Sequence, residues 1–283
     1  MKTAILLLTC PDAKGIVANV TNFIFENNGN ILHLEQHIDS ETNTLFMRVE
    51  FDLDGFKIKR EDIKKELLPI ANKFKFDYDV RFSDEIKNVA IFVGKEEHCL
   101  WEILFHYKSK DLKCNIPLII SNHEDLEYIA KFFKIDFYFI EKNKENKEIS
   151  ERKELELLKK YNIDLIVLAK YMQILSKNFV DEYRNKIINV HHSFLPAFAG
   201  AKPYLQAYKR GVKLIGATAH YVTEELDNGP IIEQEVIRIS HKDSLQDLIK
   251  KGQDLEKLVI VRAMKKHLEN KILVYNNKTI VFE

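Results

Sequence analysis

Three short, largely apolar runs constrain this chain more than anything else in it. Residues 87–94 read KNVAIFVG, residues 117–121 read PLIIS and residues 164–168 read DLIVL. Runs this short and continuous suit strands buried on both faces, where no alternation with polar residues survives. Helical spacing separates them, near residues 100–106, 126–133 and 153–161. Strands alternating with helices imply an α/β layer: a Rossmann-like, mainly parallel sheet covered on both faces. Residues 141–153 are dense in Lys, Glu and Asn and read as a solvated connection running into a helix.

Before residue 87 the pattern differs. Residues 4–9 form a short apolar run, and Ile16, Val17, Val20, Phe23 and Ile24 recur at helical spacing. Asn27-Asn28-Gly29-Asn30 is turn chemistry, able to take positive φ where that helix stops. Two strand candidates follow, 31–38 and 44–53, joined by the polar Asp39-Ser40-Glu41-Thr42-Asn43. A second helix over 60–74 turns Ile63, Leu67, Leu68, Ile70 and Ala71 inward. A strand over 77–82 closes the ferredoxin-like order β-α-β-β-α-β. We expect a first domain over residues 1–82, a linker over 83–86 and a second domain over 87–283, in keeping with a 283-residue chain.

Charge bears on partners. With 43 Lys and Arg against 43 Asp and Glu, the balance argues against a nucleic-acid platform, which needs clustered positive charge. No apolar run approaches the roughly 18–20 residues that span a membrane. The opening Lys2 and its apolar run resemble a signal peptide, but the run is short and Pro11-Asp12 follows with no small-residue cleavage site. Three cysteines, Cys10, Cys99 and Cys114, are odd in number and lack CxxC spacing, so neither a disulfide framework nor a zinc knuckle is expected. A cytoplasmic, reduced protein is expected.

The densest chemistry lies in Asn189-Val190-His191-His192-Ser193-Phe194-Leu195-Pro196. It follows Ile187-Ile188 and so ends a strand, where open parallel sheets collect ligands. Alternation puts Asn189 and His191 on one side. An amide donor and an imidazole converging on one point suit a carbonyl whose oxygen becomes negative; a capping Asn and a solvent-facing His pair would look the same. A second stretch, residues 216–230, ends a strand at Val222 and carries Asp227 in a charged loop before Gly229-Pro230. Its carboxylate suits either a general base or a turn. His191, His192 and His220 with Asp227 could also ligate a metal, although neither HExxH nor HxH spacing is present.

These two stretches, with Ala169-Lys170-Tyr171-Met172-Gln173-Ile174-Leu175-Ser176, Gly200-Ala201-Lys202-Pro203-Tyr204 and Tyr275-Asn276-Asn277-Lys278-Thr279, resemble the formyltransferase family that uses 10-formyltetrahydrofolate. The likeness is greatest to its deformylase branch and runs through nearly the whole chain. At the front, Asp12-Ala13-Lys14-Gly15-Ile16 and Asn30-Ile31 resemble an ACT domain, a ferredoxin-like regulatory module.

The resemblance implies catalytic roles for Asn189, His191 and Asp227, and a folate cleft along Met172, Gln173, Ile174 and Leu175 and around Val222, Glu225 and Asp227. It implies hydrolysis of 10-formyltetrahydrofolate to formate and tetrahydrofolate, supplying formate for purine biosynthesis and balancing one-carbon folate pools. Folate is then the substrate, and no metal or other cofactor is expected. It further implies a homo-oligomer with an amino-acid effector at the ACT domain, near Gly15 and Asn30.

The family's transferases carry a glycine-rich phosphate loop where this chain reads Gly94-Lys95-Glu96-Glu97-His98-Cys99-Leu100. A phosphate cradle needs exposed backbone N–H groups and small residues, and two glutamates oppose a dianion. His98 reads as a helix-entry residue and Cys99 as a packed thiol. The alternatives are formyl transfer to an amine and a non-catalytic folate- or amino-acid-binding regulator.

Overall fold

The computed structural model describes residues 2–197 and 203–283; the Gly200-Ala201-Lys202 part of one resembling stretch lies outside them. The chain divides into two compact units. The first runs to Glu85 and includes Glu269–Leu273 and Ile280–Glu283; the second comprises Ile86–Leu268 and Val274–Thr279.

In the first unit, β1 (Thr3–Pro11), α1 (Ile16–Glu26), β2 (Ile31–Asp39), β3 (Thr44–Asp52), α2 (Ile63–Glu66), α3 (Leu68–Phe74) and β4 (Asp77–Phe82) follow the expected order. The sheet runs β2-β3-β1-β4 and is antiparallel throughout. Alternation puts Ala4, Leu6, Leu8 and Cys10 of β1 on one face, with Leu45, Met47, Val49 and Phe51 of β3. Ile16, Val20 and Ile24 of α1, with Ile63 and Leu67, close that core. The single helix expected over 60–74 is instead a 3₁₀ turn, Arg60–Asp62, then α2 and α3 with Leu67 between them. Pro69 explains the break: it has no N–H to donate back, and its ring crowds the carbonyl four residues earlier.

The tail belongs partly to this unit for a visible reason. The nearly buried Arg48 donates Nε to the Asn270 carbonyl at 3.1 Å and pairs with Glu50 at 2.9 Å. The Glu283 N–H donates to the Glu35 carboxylate at 3.0 Å.

The second unit contains β5 (Lys87–Val93), α4 (His98–Lys108), β6 (Cys114–Ser121), α5 (Glu127–Phe133), β7 (Asp136–Phe139), α6 (Lys147–Lys160), β8 (Leu165–Ala169), α7 (Lys177–Glu182), β9 (Ile187–His191), α8 (Pro203–Arg210), β10 (Leu214–Tyr221), β11 (Ile231–Arg238) and α9 (Leu245–Leu268). The short hairpin β12 (Ile272–Tyr275) and β13 (Lys278–Val281) ends the chain. The seven-stranded sheet has the order β11-β10-β9-β8-β5-β6-β7. It is parallel from β9 to β7, and β10 and β11 extend it antiparallel. The three short apolar runs are the central strands β5, β6 and β8, with Ala90, Phe92, Leu118, Ile120, Ile166 and Leu168 in one core. Register slips by one residue between β5 and β6, from Asn88↔Asn115 to Ala90↔Leu118. That bulge takes up Pro117, which has no N–H for the ladder.

From β5 the chain winds outward through β6 and β7, then returns to lay β8 and β9 on the other side. Strand order therefore reverses between β5 and β8, and the crevice beyond their carboxyl ends is where such sheets bind ligands. One expectation fails here. Residues 141–153 are not simply solvated: Lys142, Ser150 and Glu151 are buried, as is Glu154 just beyond. Buried charges persist when paired, and Lys142 Nζ lies 2.8 Å from Glu154 and 3.6 Å from Glu151.

Candidate active site

Two strand ends and two loops build the site. β9 delivers Asn189 and His191, and β10 pairs with it so that His220 faces Asn189. His220 Nδ1 lies 2.9 Å from the Tyr221 carbonyl, which can only accept. The proton therefore sits on Nδ1, and Nε2 accepts from the Asn189 amide at 3.3 Å. The Asn189 amide keeps its second N–H for another acceptor. Burial holds the His220 pKa down, so this orienting ring stays neutral.

Asp227 arrives from the loop after β10 in a left-handed conformation, φ 54°. The loop is closed at its base by the Tyr221 N–H donating to the Pro230 carbonyl at 2.9 Å. Gly229 is required there, since a Cβ would stand 1.7 Å from the Tyr221 carbonyl oxygen. The Asp227 carboxylate reaches His191 Nδ1 at 3.2 Å and His220 Nε2 at 3.8 Å. Burial pushes its pKa up, but the hydrogen bond and charge of His191 outweigh that and leave it below the usual value. Across the ring, the buried His191 Nε2 has no hydrogen-bond partner among the described residues.

The opposite wall is the loop after β8. Lys170 and Met172 are both left-handed, φ 61° and 56°. Such backbone persists only where its surroundings over-determine it. Tyr171 donates its hydroxyl to Glu154 at 2.6 Å, and the Ser176 N–H donates to Glu151 at 3.0 Å. The Lys142 cluster thus grips the loop at two points. Ser176 also caps α7, accepting from the Phe179 N–H. On the other side Gly94 allows close passage, because a Cβ there would lie 2.5 Å from the Lys170 carbonyl oxygen.

Between these walls lies a cavity of about 460 Å³. Every candidate lines it: Asn189, His191 and Asp227 with Met172, Gln173, Ile174, Leu175, Val222 and Glu225. Met172 and Ile174 are exposed, 70% and 58%, whereas Leu175 is buried. Apolar side chains standing open beside a few converging polar groups are the usual lining of a small-molecule site.

Three lining or supporting residues, Lys170, His192 and Glu256, fall outside the catalytic and folate-binding candidates drawn from the sequence. Lys170 and His192 line the cavity. His192 follows the end of β9, so strand alternation no longer governs it, and its ring stacks on His191 at 5.0 Å. Burial, then the Lys170 charge, lowers the His192 pKa to about 4. Behind them Glu256 of α9, wholly buried, accepts from His98 at 2.8 Å, Lys170 at 3.1 Å and Tyr204 at 2.6 Å. Burial would raise its pKa, but His98 and Lys170 bring it down to about 2. The buried face of α9 carries Gly252, Leu255, Glu256, Val259, Ile260 and Ala263, so the helical spacing of its apolar neighbours is the signal that could have turned Glu256 inward.

Among the described residues, His98, Cys99 and Glu256 bring potential metal ligands within 4.8 Å of one another. The Lys170 ammonium already pairs with that carboxylate, and burial pushes the Cys99 thiol well up, so the set suits an ion-pair cluster better than a cation. His98 opens α4 and Cys99 is fully buried, as their positions in the sequence suggested.

Comparison with known proteins fits this geometry. Residues 87–264 match the formyl transferase family and residues 4–70 the ACT domain. The chain is 52% identical to the formyltetrahydrofolate deformylase of Synechocystis sp. over 99% of its length and 98% of that protein. It is 46% identical to the Bacillus subtilis formyltetrahydrofolate deformylase, covering 98% and 93%. The crystal structure of a formyltetrahydrofolate deformylase from Pseudomonas syringae pv. tomato superposes with a TM-score of 0.97 at 43% identity, covering 100% of this chain and 95% of that one.

The depressed Glu256 pKa has a measurable consequence. The stability it contributes is complete above the unfolded value near 4.5 and is lost as pH falls toward 2. Glu256→Gln should lower unfolding stability by about 3 kcal/mol at pH 7. In denaturant titrations that gap should narrow steadily below pH 5; a gap independent of pH would assign the loss to packing instead.

Proposed function

The chain belongs to the formyltransferase family, among its formyltetrahydrofolate deformylases, and we propose that it hydrolyses 10-formyltetrahydrofolate to formate and tetrahydrofolate. One observation carries the assignment of roles: Asn189, His191 and Asp227 converge on one cavity, with Asp227 3.2 Å from His191 Nδ1. The N10-formyl group is an amide, so attack by water passes through a tetrahedral intermediate. Water oxygen bonds to the formyl carbon while the carbonyl pair moves onto oxygen. The free N–H of Asn189 stabilises that oxyanion, as does His191 Nε2 when the ring carries hydrogen on both nitrogens. Asp227, kept ionised, takes the water proton and orients His191. A proton returned to N10 lets the C–N10 bond break, releasing tetrahydrofolate and formate. Met172, Gln173, Ile174, Leu175, Val222 and Glu225 would hold the folate. Every step is an attack or a proton transfer, so this reading calls for no metal or redox cofactor. Formate made this way would serve purine biosynthesis and balance folate pools. Three buried free cysteines favour a reducing, cytoplasmic setting; among the described residues no helix is long and apolar enough to cross a membrane.

The first unit supports a regulatory role. A cavity of about 450 Å³ is lined by Asp12, Gly15, Ile16, Gln36, Ile38 and Leu45. Gly15, at φ 93°, starts α1 there, a conformation other residues resist. Asn30, expected beside it, is not among the lining residues; its carbonyl instead accepts from the Asp52 N–H at 2.9 Å. An amino acid is the effector this reading assigns to the cavity, acting within a homo-oligomer.

Purified protein given 10-formyltetrahydrofolate and no amine should release formate; stoichiometric formylation of an added amine, with no formate in its absence, would overturn the hydrolase reading. Asn189→Ala should lower the rate by about 10²–10³-fold with little change in folate affinity, because the donor acts in the transition state. Asp227→Asn should lose about 10⁴-fold while still binding folate. For the first unit, sedimentation should show an oligomer, and at least one small amino acid should change the rate; a monomer indifferent to amino acids would refute that role.

A further inference from the structure

Two hydrogen bonds from the end of the chain close on the loop that carries Asp227. They come from the tip of the hairpin between β12 and β13, where the chain reads Asn276-Asn277-Lys278-Thr279. Asn276 takes the left-handed turn position, φ 53°, which asparagine tolerates. Asn277 reaches out instead and donates Nδ2 to the Asn228 carbonyl at 2.8 Å. Thr279 donates its hydroxyl to the Ile231 carbonyl. Asn228 and Ile231 bracket Gly229-Pro230, where the loop passes into β11. That strand is an edge of the seven-stranded sheet, and carbonyls along an edge point by turns toward the neighbouring strand and away from it. The Pro230 carbonyl turns to β10, accepting from the Tyr221 N–H at 2.9 Å; the Ile231 carbonyl turns outward to Thr279. The exit of the loop is gripped from both sides.

Nearer the site the restraints are weaker. Thr223 and Asn228 bond within the loop, to Glu225, and the Glu224–Lys177 pair is 61% and 62% exposed, where an ion pair contributes little. A two-stranded hairpin alone is marginal, but the roots of this one are fixed. Arg48 Nε donates to the Asn270 carbonyl at 3.1 Å, the Phe282 N–H donates to the Lys271 carbonyl at 2.8 Å, and the Phe282 ring is buried. Resting on the hydrolase reading above, in which Asp227 is the base, we propose that Thr279 and Asn277 are positioning residues for the reaction: they fix the loop exit so that Asp227 stays against His191. Thr279 carries the larger share. It is half-buried, whereas Asn277 is exposed and water competes for its bond.

The test uses the full chain, assayed for formate release from 10-formyltetrahydrofolate, with the Asp227 carboxyl titrated by carbon-13 NMR. Thr279→Val removes the hydroxyl but keeps a branched shape that suits a strand, so it should melt as the wild type does. It should lower kcat about fivefold, as loss of one hydrogen bond would. Thr279→Ser, which keeps the hydroxyl, should recover most of that loss. The double variant Thr279→Val/Asn277→Ala should lower kcat about tenfold or more and raise the Asp227 midpoint toward 3.8, because the carboxylate drifts from His191. Should Thr279→Val unsettle the hairpin, Asn277→Ala in the exposed turn is read by the same midpoint. Unchanged kcat in the double variant, equal losses in Thr279→Val and Thr279→Ser, or a lower kcat with an unmoved midpoint would overturn the proposal. A wild-type chain that makes no formate would instead remove the hydrolase reading, and the midpoint shift would still decide whether these two residues position Asp227.

Discussion

The contact between Asp227 and His191 is the interaction on which the site depends. It joins a strand end to a loop 36 positions further along the sequence, and both sides are built to hold it. On the strand side, His220 fixes the Asn189 amide and lies 3.8 Å from the same carboxylate. On the loop side, Asp227 occupies a left-handed conformation, and the base of the loop closes at a glycine where no side chain fits. The histidine keeps the carboxylate ionised despite burial, which is the state a base for water needs. The ring's other nitrogen is buried and has no hydrogen-bond partner among the described residues.

Around this contact the second unit commits two buried ion clusters to positioning. Lys142 with Glu151 and Glu154 anchors the loop that carries Met172 to Leu175. Glu256 gathers Lys170, His98 and Tyr204. Buried ion pairs add little net stability compared with apolar packing, but removing one partner is costly. Their value here is geometric: the loop after β8, with left-handed Lys170 and Met172, is held by hydrogen bonds to Glu154 and Glu151.

Much of this was legible in the residues. Continuous apolar runs identified the central strands β5, β6 and β8, and the order in the first unit followed from alternation and turn chemistry. Asn189 and His191 could be placed together because a strand end has a simple period. Pro69 carried the signal that splits the second helix, though its apolar spacing alone suggested one continuous element. The buried charges were less accessible. Lys142, Glu151 and Glu154 look solvated because the residues that bury them, Tyr171 and the turn at Ser176, lie across the fold. Glu256 stands next to Lys257 and resembles any surface glutamate until the helical face is drawn. Pairing across distant segments is a tertiary property, and local pattern does not encode it.

The most direct test of this account is the titration of the Asp227 carboxyl followed by carbon-13 NMR of selectively labelled protein. The account predicts a midpoint below the ordinary aspartate value of 3.8, rising when His191→Ala removes the neighbouring ring. A wild-type midpoint at or above 3.8, or one unmoved by loss of His191, would contradict the claim that this histidine holds the base ionised.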